Sequence, residues 1–91
     1  MSGSTLSSVA SVTTAGGVQL LAANGYRKGV TIENSDANRL HIRFGSGTVS
    51  TTSYSASLAQ NENLYLPGFT GEIVGIWAAD GSGSALVTEI Y

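Results

Sequence analysis

A chain of 91 residues without cysteine excludes a disulfide scaffold and a thiolate metal site, and leaves strand packing or association to supply its stability. Charged residues make up only 11% of it, against about a quarter in an average domain, and a net charge of −2 counts against a nucleic-acid partner. No apolar run is long enough to span a bilayer, and no basic start leads into an apolar stretch, so the expectation is a soluble product of the cytoplasm that makes it, with no membrane partner.

In chain order, residues 1–8 hold Ser, Gly and Thr around one large apolar residue, Leu6. They read as a flexible N-terminal arm, with a single β-sandwich domain over residues 9–91. Residues 9–13 read as a short strand, Ala15-Gly16-Gly17 as a turn, and residues 18–23 as a second strand with Val18, Leu20 and Ala22 on one face. Asn24-Gly25 is the strongest local hairpin signal. Residues 30–34 and 39–44 then alternate cleanly, with Val30, Ile32, Leu40, Ile42 and Phe44 inward. A three-residue loop between them predicts Ile32 opposite Leu40 and an exposed Glu33–Arg39 pair. Residues 48–53 read as an edge strand or a loop. Residues 54–59 and 62–66 alternate again, with Leu64 and Leu66 inward and Tyr65 outward. Gln60-Asn61 and Pro67-Gly68 supply turns.

Residues 72–79 and 84–91 flank Asp80-Gly81-Ser82-Gly83 and read as a terminal hairpin. A four-residue loop puts Trp77 opposite Leu86 and Ile76 opposite Val87. Apolar groups then meet on both faces, so one face fills the core and the other needs a second cover, for which a neighbouring subunit is the leading candidate. Val74, Ile76, Val87 and Tyr91 are the expected association residues. The whole is all-β: an antiparallel β-sandwich of jelly-roll or Greek-key type with seven to eight short strands.

Little in the chain suggests chemistry, and the reading is of a non-enzyme without cofactor or metal. The one histidine, His41, lies between Arg39 and Arg43 on an outward strand face and reads as a solvated or interface residue. Arg39 and Arg43 suit a polar contact with an acidic surface on another subunit. All four basic residues lie between positions 27 and 43, and from Phe44 onward there are acids but no base. That split suits self-association, although chance explains it equally well at such counts. Gly45-Ser46-Gly47 and Gly81-Ser82-Gly83 open no helix and so lack the amides of a phosphate loop. The aromatic residues suit either a sugar platform or core packing, and core is the better reading for Trp77. Gly75, two residues earlier, leaves room for a bulky neighbour or marks a bulge.

Three runs carry a resemblance: residues 24–34 (Asn24-Gly25-Tyr26 to Ile32-Glu33-Asn34), residues 40–45, and residues 66–77 (Leu66-Pro67-Gly68-Phe69-Thr70-Gly71 to Ile76-Trp77), with Val87-Thr88-Glu89 at the end. The chain resembles small all-β virion proteins of tailed bacteriophages, of the capsid cement or head-decoration type. The resemblance implies a sandwich or jelly-roll subunit, usually a homotrimer, on the capsid exterior of a virion. Its partners would be itself and the major capsid protein, and it would be made in a host cytoplasm. It brings no catalytic residue, and its motifs fix no capsid-contacting position. The alternative from the residues is a carbohydrate- or receptor-binding module of a phage fibre or spike.

Overall fold

The computed structural model describes residues 3–10 and 17–91. Eight strands follow one another: β1 (Ser4–Ala10), β2 (Val18–Leu21), β3 (Gly29–Asn34), β4 (Leu40–Phe44), β5 (Ala56–Leu58), β6 (Asn63–Pro67), β7 (Ile73–Trp77) and β8 (Ser84–Ile90). They form two four-stranded antiparallel sheets, ordered β1-β8-β3-β6 and β2-β7-β4-β5. Every connection except β4–β5 carries the chain from one sheet to the other. The all-β sandwich expected from the sequence is the fold, and this interleaved order is its jelly-roll form. The strand expected at residues 9–13 and the turn at Ala15-Gly16-Gly17 fall largely outside the described residues. The stretch read as an arm is, from Ser4 onward, strand β1, laid along β8 in unbroken register.

The terminal hairpin does not form. β7 pairs with β2 and β4, whereas β8 pairs with β1 and β3. Trp77 lies opposite Leu40, not Leu86. Residues 78–83 bridge the gap between the sheets, about 10 Å in a sandwich. The apolar match across the expected hairpin has another origin: β7 and β8 send alternate residues into one core from opposite sides. Apolar groups therefore face apolar groups across the sandwich as well as across a hairpin. The same holds for β3 and β4. Val30, Ile32, Leu40 and Ile42 are all fully buried, but Ile32 pairs with Leu64 and Val87, and Glu33 with Asn63 and Leu86. Arg39 donates to Ser57 Oγ at 2.9 Å rather than meeting Glu33.

Several turns stand where expected while serving a different connection. Arg27 N–H donates to Asn24 O at 3.1 Å, and Tyr26 N–H donates to Asn24 Oδ1 at 3.0 Å. Asn24-Gly25 thus closes a tight turn between the sheets. Gly68 adopts φ 73°, as the third residue of a type II turn requires.

The core is one apolar cluster between the sheets. Val30, Ile32, Ala85 and Val87 come from one side, and Leu20, Leu40, Ile42, Leu58, Ile73 and Trp77 from the other. Gly75 is where they close most tightly. A Cβ there would lie 2.9 Å from Leu20 Cδ1 and 3.0 Å from Leu40 Cδ1, so bare backbone lets both leucines lie over β7.

Buried polar groups lock each end. At one, Asn34 is fully buried. Its Nδ2 donates to Asn38 O (2.9 Å) and Leu58 O (3.0 Å), and its Oδ1 accepts from Asp36 N–H and Trp77 Nε1–H, both at 3.0 Å. One side chain thereby fixes the end of β5, the β3–β4 turn and the indole of β7. Asp36 continues the lock, its Oδ1 accepting from Gly83 N–H at 2.9 Å.

At the other end, buried Arg27 donates through Nε to Glu89 Oε2 at 2.9 Å. Its Nη1 donates to the carbonyls of Phe69 (3.1 Å) and Gly71 (3.0 Å), and its Nη2 to that of Ala22. Glu89 also accepts from Asn24 Nδ2 at 3.2 Å and from the Tyr91 hydroxyl. A buried charge pair is sustained only when its remaining hydrogen-bonding capacity is filled, and here it is.

Burial raises the Glu89 pKa, but the hydrogen bonds from Tyr91, Arg27 and Asn24 and the Arg27 charge outweigh it and hold the carboxyl below its ordinary value. A carboxylate with a depressed folded-state pKa adds stability above its unfolded pKa and loses it as pH falls through the folded value. Urea midpoints are expected to hold from neutral pH down to the ordinary 4.5 and to fall below it. Glu89→Gln is expected to cost about 3 kcal/mol at neutral pH and to flatten that acid limb. Parallel acid limbs in the two proteins would discount the pair.

Candidate interaction surfaces

Each sheet has an outer face, and the two are treated differently. On the β7 sheet, β4 and β7 present His41, Arg43, Val74 and Ile76 outward, with His41 opposite Ile76 and Arg43 opposite Val74. This is the apolar face for which a second cover was expected. The chain supplies that cover itself. Residues 45–55, the β4–β5 connection, fold back as a flap.

Gly45 and Gly47 take positive φ (100° and 127°), which turns the flap back over the sheet. Val49, 2% exposed, forms a second apolar cluster with Val74 and Ile76. A Cβ on Gly17 would lie 2.4 Å from Val49 Cγ1, so the absence of a side chain there admits the valine. Arg43 Nη1 donates to Thr48 O at 3.2 Å, and Ser55 N–H donates to Ile42 O at 2.7 Å. Tyr54 meets the His41 ring edge-on, centroids 4.7 Å apart.

The expected association residues therefore separate. Val74 and Ile76 lie under the flap, and Val87 is fully buried inside the sandwich. Within the single chain all three are therefore covered, Val87 by the core and Val74 and Ile76 by Val49. Tyr91 is half-buried and hydrogen-bonded to Glu89. Arg39 is exposed, whereas Arg43 is half-buried against the flap. His41 lies on the outward side of its strand as read, but Tyr54 and the flap leave it buried. Its Nδ1 and the Arg43 Nε have no hydrogen-bond partner among the described residues. Arg27 belongs to the buried pair, which leaves Lys28 and Arg39 as the exposed basic residues.

The outer face of the β8 sheet has no such cover among the described residues. Leu6, Leu86, Thr88, Thr31, Glu33 and Asn63 line a shallow depression of about 380 Å³ across all four strands. Leu6 is 70% exposed, and Tyr65, opposite Thr31 on the same face, is 57% exposed. Glu33 is the one charge among the lining residues. Sequence reasoning placed Tyr65 outward correctly but missed Leu86, because the hairpin register turned it toward Trp77. Alternation along β8, with Ala85 and Val87 buried and Leu86 and Thr88 facing out, becomes readable once β8 is set between β1 and β3.

Among the described residues, no three of His, Cys, Asp and Glu lie close enough to share a metal ion, and none of their helices is long and apolar enough to cross a membrane. No protein family model matches the chain, and no curated protein matches it. The class the architecture defines is that of eight-stranded antiparallel sandwiches with one self-covered and one bare outer face.

If the flap is the cover of the β7 sheet, Val49→Ala removes about two methylene equivalents from a buried contact and costs about 1–2 kcal/mol. Limited proteolysis should then cut within residues 45–55 sooner than in the parent chain. Unchanged cleavage there would mean that Val49 does not hold the flap down.

Proposed function

We propose that this chain is a bacteriophage virion structural protein, a capsid decoration or cement subunit that self-associates and stabilises the head from outside. The observation that carries the reading is the bare, nearly uncharged outer face of the β8 sheet, with Leu6, Leu86 and Tyr65 exposed. Exposed leucines beside one another on an uncovered, nearly uncharged sheet face suit a protein-binding surface. The opposite face supports the same reading, because the flap leaves no need for a subunit there. The sandwich is well suited to rigid docking. Its ends are locked by Asn34 and Arg27, so little ordering entropy is lost on binding. Several such contacts from one oligomer, made to neighbouring copies of the major capsid protein, add as avidity. The resemblance in residues 24–34, 40–45 and 66–77 points the same way.

The second reading, a carbohydrate- or receptor-binding module, rests on three exposed tyrosines, Tyr26, Tyr54 and Tyr65. Tyr54 and Tyr65 belong to opposite outer faces and Tyr26 to a turn at the sandwich end. They do not make one platform, which favours decoration.

The purified chain, mixed with expanded heads built from the major capsid protein of the same genome, is expected to co-sediment at a constant ratio to capsomers. Leu86→Glu is expected to weaken that binding at least about tenfold at an unchanged melting temperature. Heads that pellet bare at saturating concentrations, together with glycan-array signal lost in Tyr65→Ala, would transfer the argument to the second reading.

A further inference from the structure

Four strands form the sheet edges: β1 and β6 in one sheet, β2 and β5 in the other. Short strands, bulges and prolines are the means by which proteins keep such edges from pairing with other chains. Three of the four have them. β5 has three residues. β2 has four and a register shift between Gln19 and Leu21. β6 ends in Pro67, which has no N–H. β1 has none of these devices: it runs for seven residues without a charge, a proline or a shift against β8.

The register shows which groups this edge presents. Gly3 N–H donates to Tyr91 O at 3.4 Å, and Tyr91 N–H donates to Gly3 O at 2.9 Å. Bonded and non-bonded pairs alternate along an antiparallel ladder, so Thr5, Ser7 and Val9 carry the bonds to β8. The N–H and C=O groups of Ser4, Leu6, Ser8 and Ala10 point away from the sheet. Val9 packs on the core, so those same four residues send their side chains to the bare outer face, where Leu6 and Leu86 line one depression.

We propose that β1 is a strand-addition edge whose partner is a second copy of this chain, the two β1 strands pairing antiparallel about a two-fold axis at Ser7. In that register Ser4 faces Ala10 of the other copy, and Leu6 faces Ser8. Every outward N–H and C=O of the strand is then used. Two bonds per pair give about eight hydrogen bonds, within the ~10 ± 5 of a standard interface. The two Leu6 side chains lie diagonally across the axis, each near its own Leu86. A second copy is the occupant because the edge is neutral and its pattern is its own complement, with no charge to select a different partner. The contact is isologous and closes at two chains, whereas the resemblance implies three. It shares self-association with the proposed function but requires no capsid, so a chain that dimerises through β1 yet leaves heads bare sinks that function and keeps the pairing.

Sedimentation equilibrium of the full chain across micromolar concentrations is the test, and a mass of twice 9.3 kDa is expected. Ser8→Pro removes an N–H that points off the edge and leaves the bonds to β8 whole. It should keep the circular-dichroism spectrum and raise the dimer dissociation constant at least about tenfold. Leu6→Glu, which brings like charges together across the axis, should do the same and replaces the proline variant if that one misfolds. A 9.3 kDa species at every concentration, a three-chain mass, or dimers indifferent to both substitutions overturns the pairing.

Discussion

Strand β7 is apolar toward both sides, and the rest of the molecule is arranged to keep both dry. Inward, Ile73 and Trp77 join the core, and Gly75 lets Leu20 and Leu40 close over the strand. Outward, Val74 and Ile76 are capped by Val49. A strand buried on both faces belongs in the middle of a sheet, and β7 lies between β2 and β4. The flap exists because the second face has to be covered by something, and in a chain this small a single loop is sufficient. The indole N–H of Trp77 then ties the strand to Asn34, and through it to the β3–β4 turn.

That arrangement makes the two outer surfaces unequal. One sheet is closed by its own connection, so its chemistry is internal: His41 under Tyr54, Arg43 against the flap. The other sheet is open and nearly uncharged, and its long outer strand is the least protected edge in the fold. The exposed leucines and the long unprotected edge therefore both fall on the β8 sheet. The strand face on which apolar excess was expected, that of Val74 and Ile76, is the covered one, and the exposed leucines lie on the other sheet.

Period-two alternation identified the inner faces of β3 and β4, and the turns at Asn24-Gly25, Gln60-Asn61 and Pro67-Gly68 were readable from the local chemistry of asparagine, glycine and proline. Pairing was not readable. In a jelly roll the strands that bond are mostly not neighbours in sequence, and local pattern has no information about which distant strand completes a ladder. Arg27 shows the same limit. Beside Lys28 it looks like surface charge, and its partner Glu89 is a remote residue with nothing local to announce it. Val49 was concealed in a hydroxyl-rich run whose composition suggests exposure. Of the surface residues, Tyr65 was legible from alternation and Leu86 was not, since its outward direction depends on which strands flank β8.

The pairing of β1 with β8 joins one end of the described chain to the other, and β2 finds its partner in β7. Almost no local contact stabilises a partly made sheet, so loop-closure entropy must be met before any ladder yields its return. Chains of this topology fold in about milliseconds to seconds rather than microseconds. During synthesis β1 leaves the ribosome first and stays without its neighbour until β8 has emerged. For that interval both of its edges are open, and a crowded ribosome would bring nascent copies together in just the state most able to exchange strands.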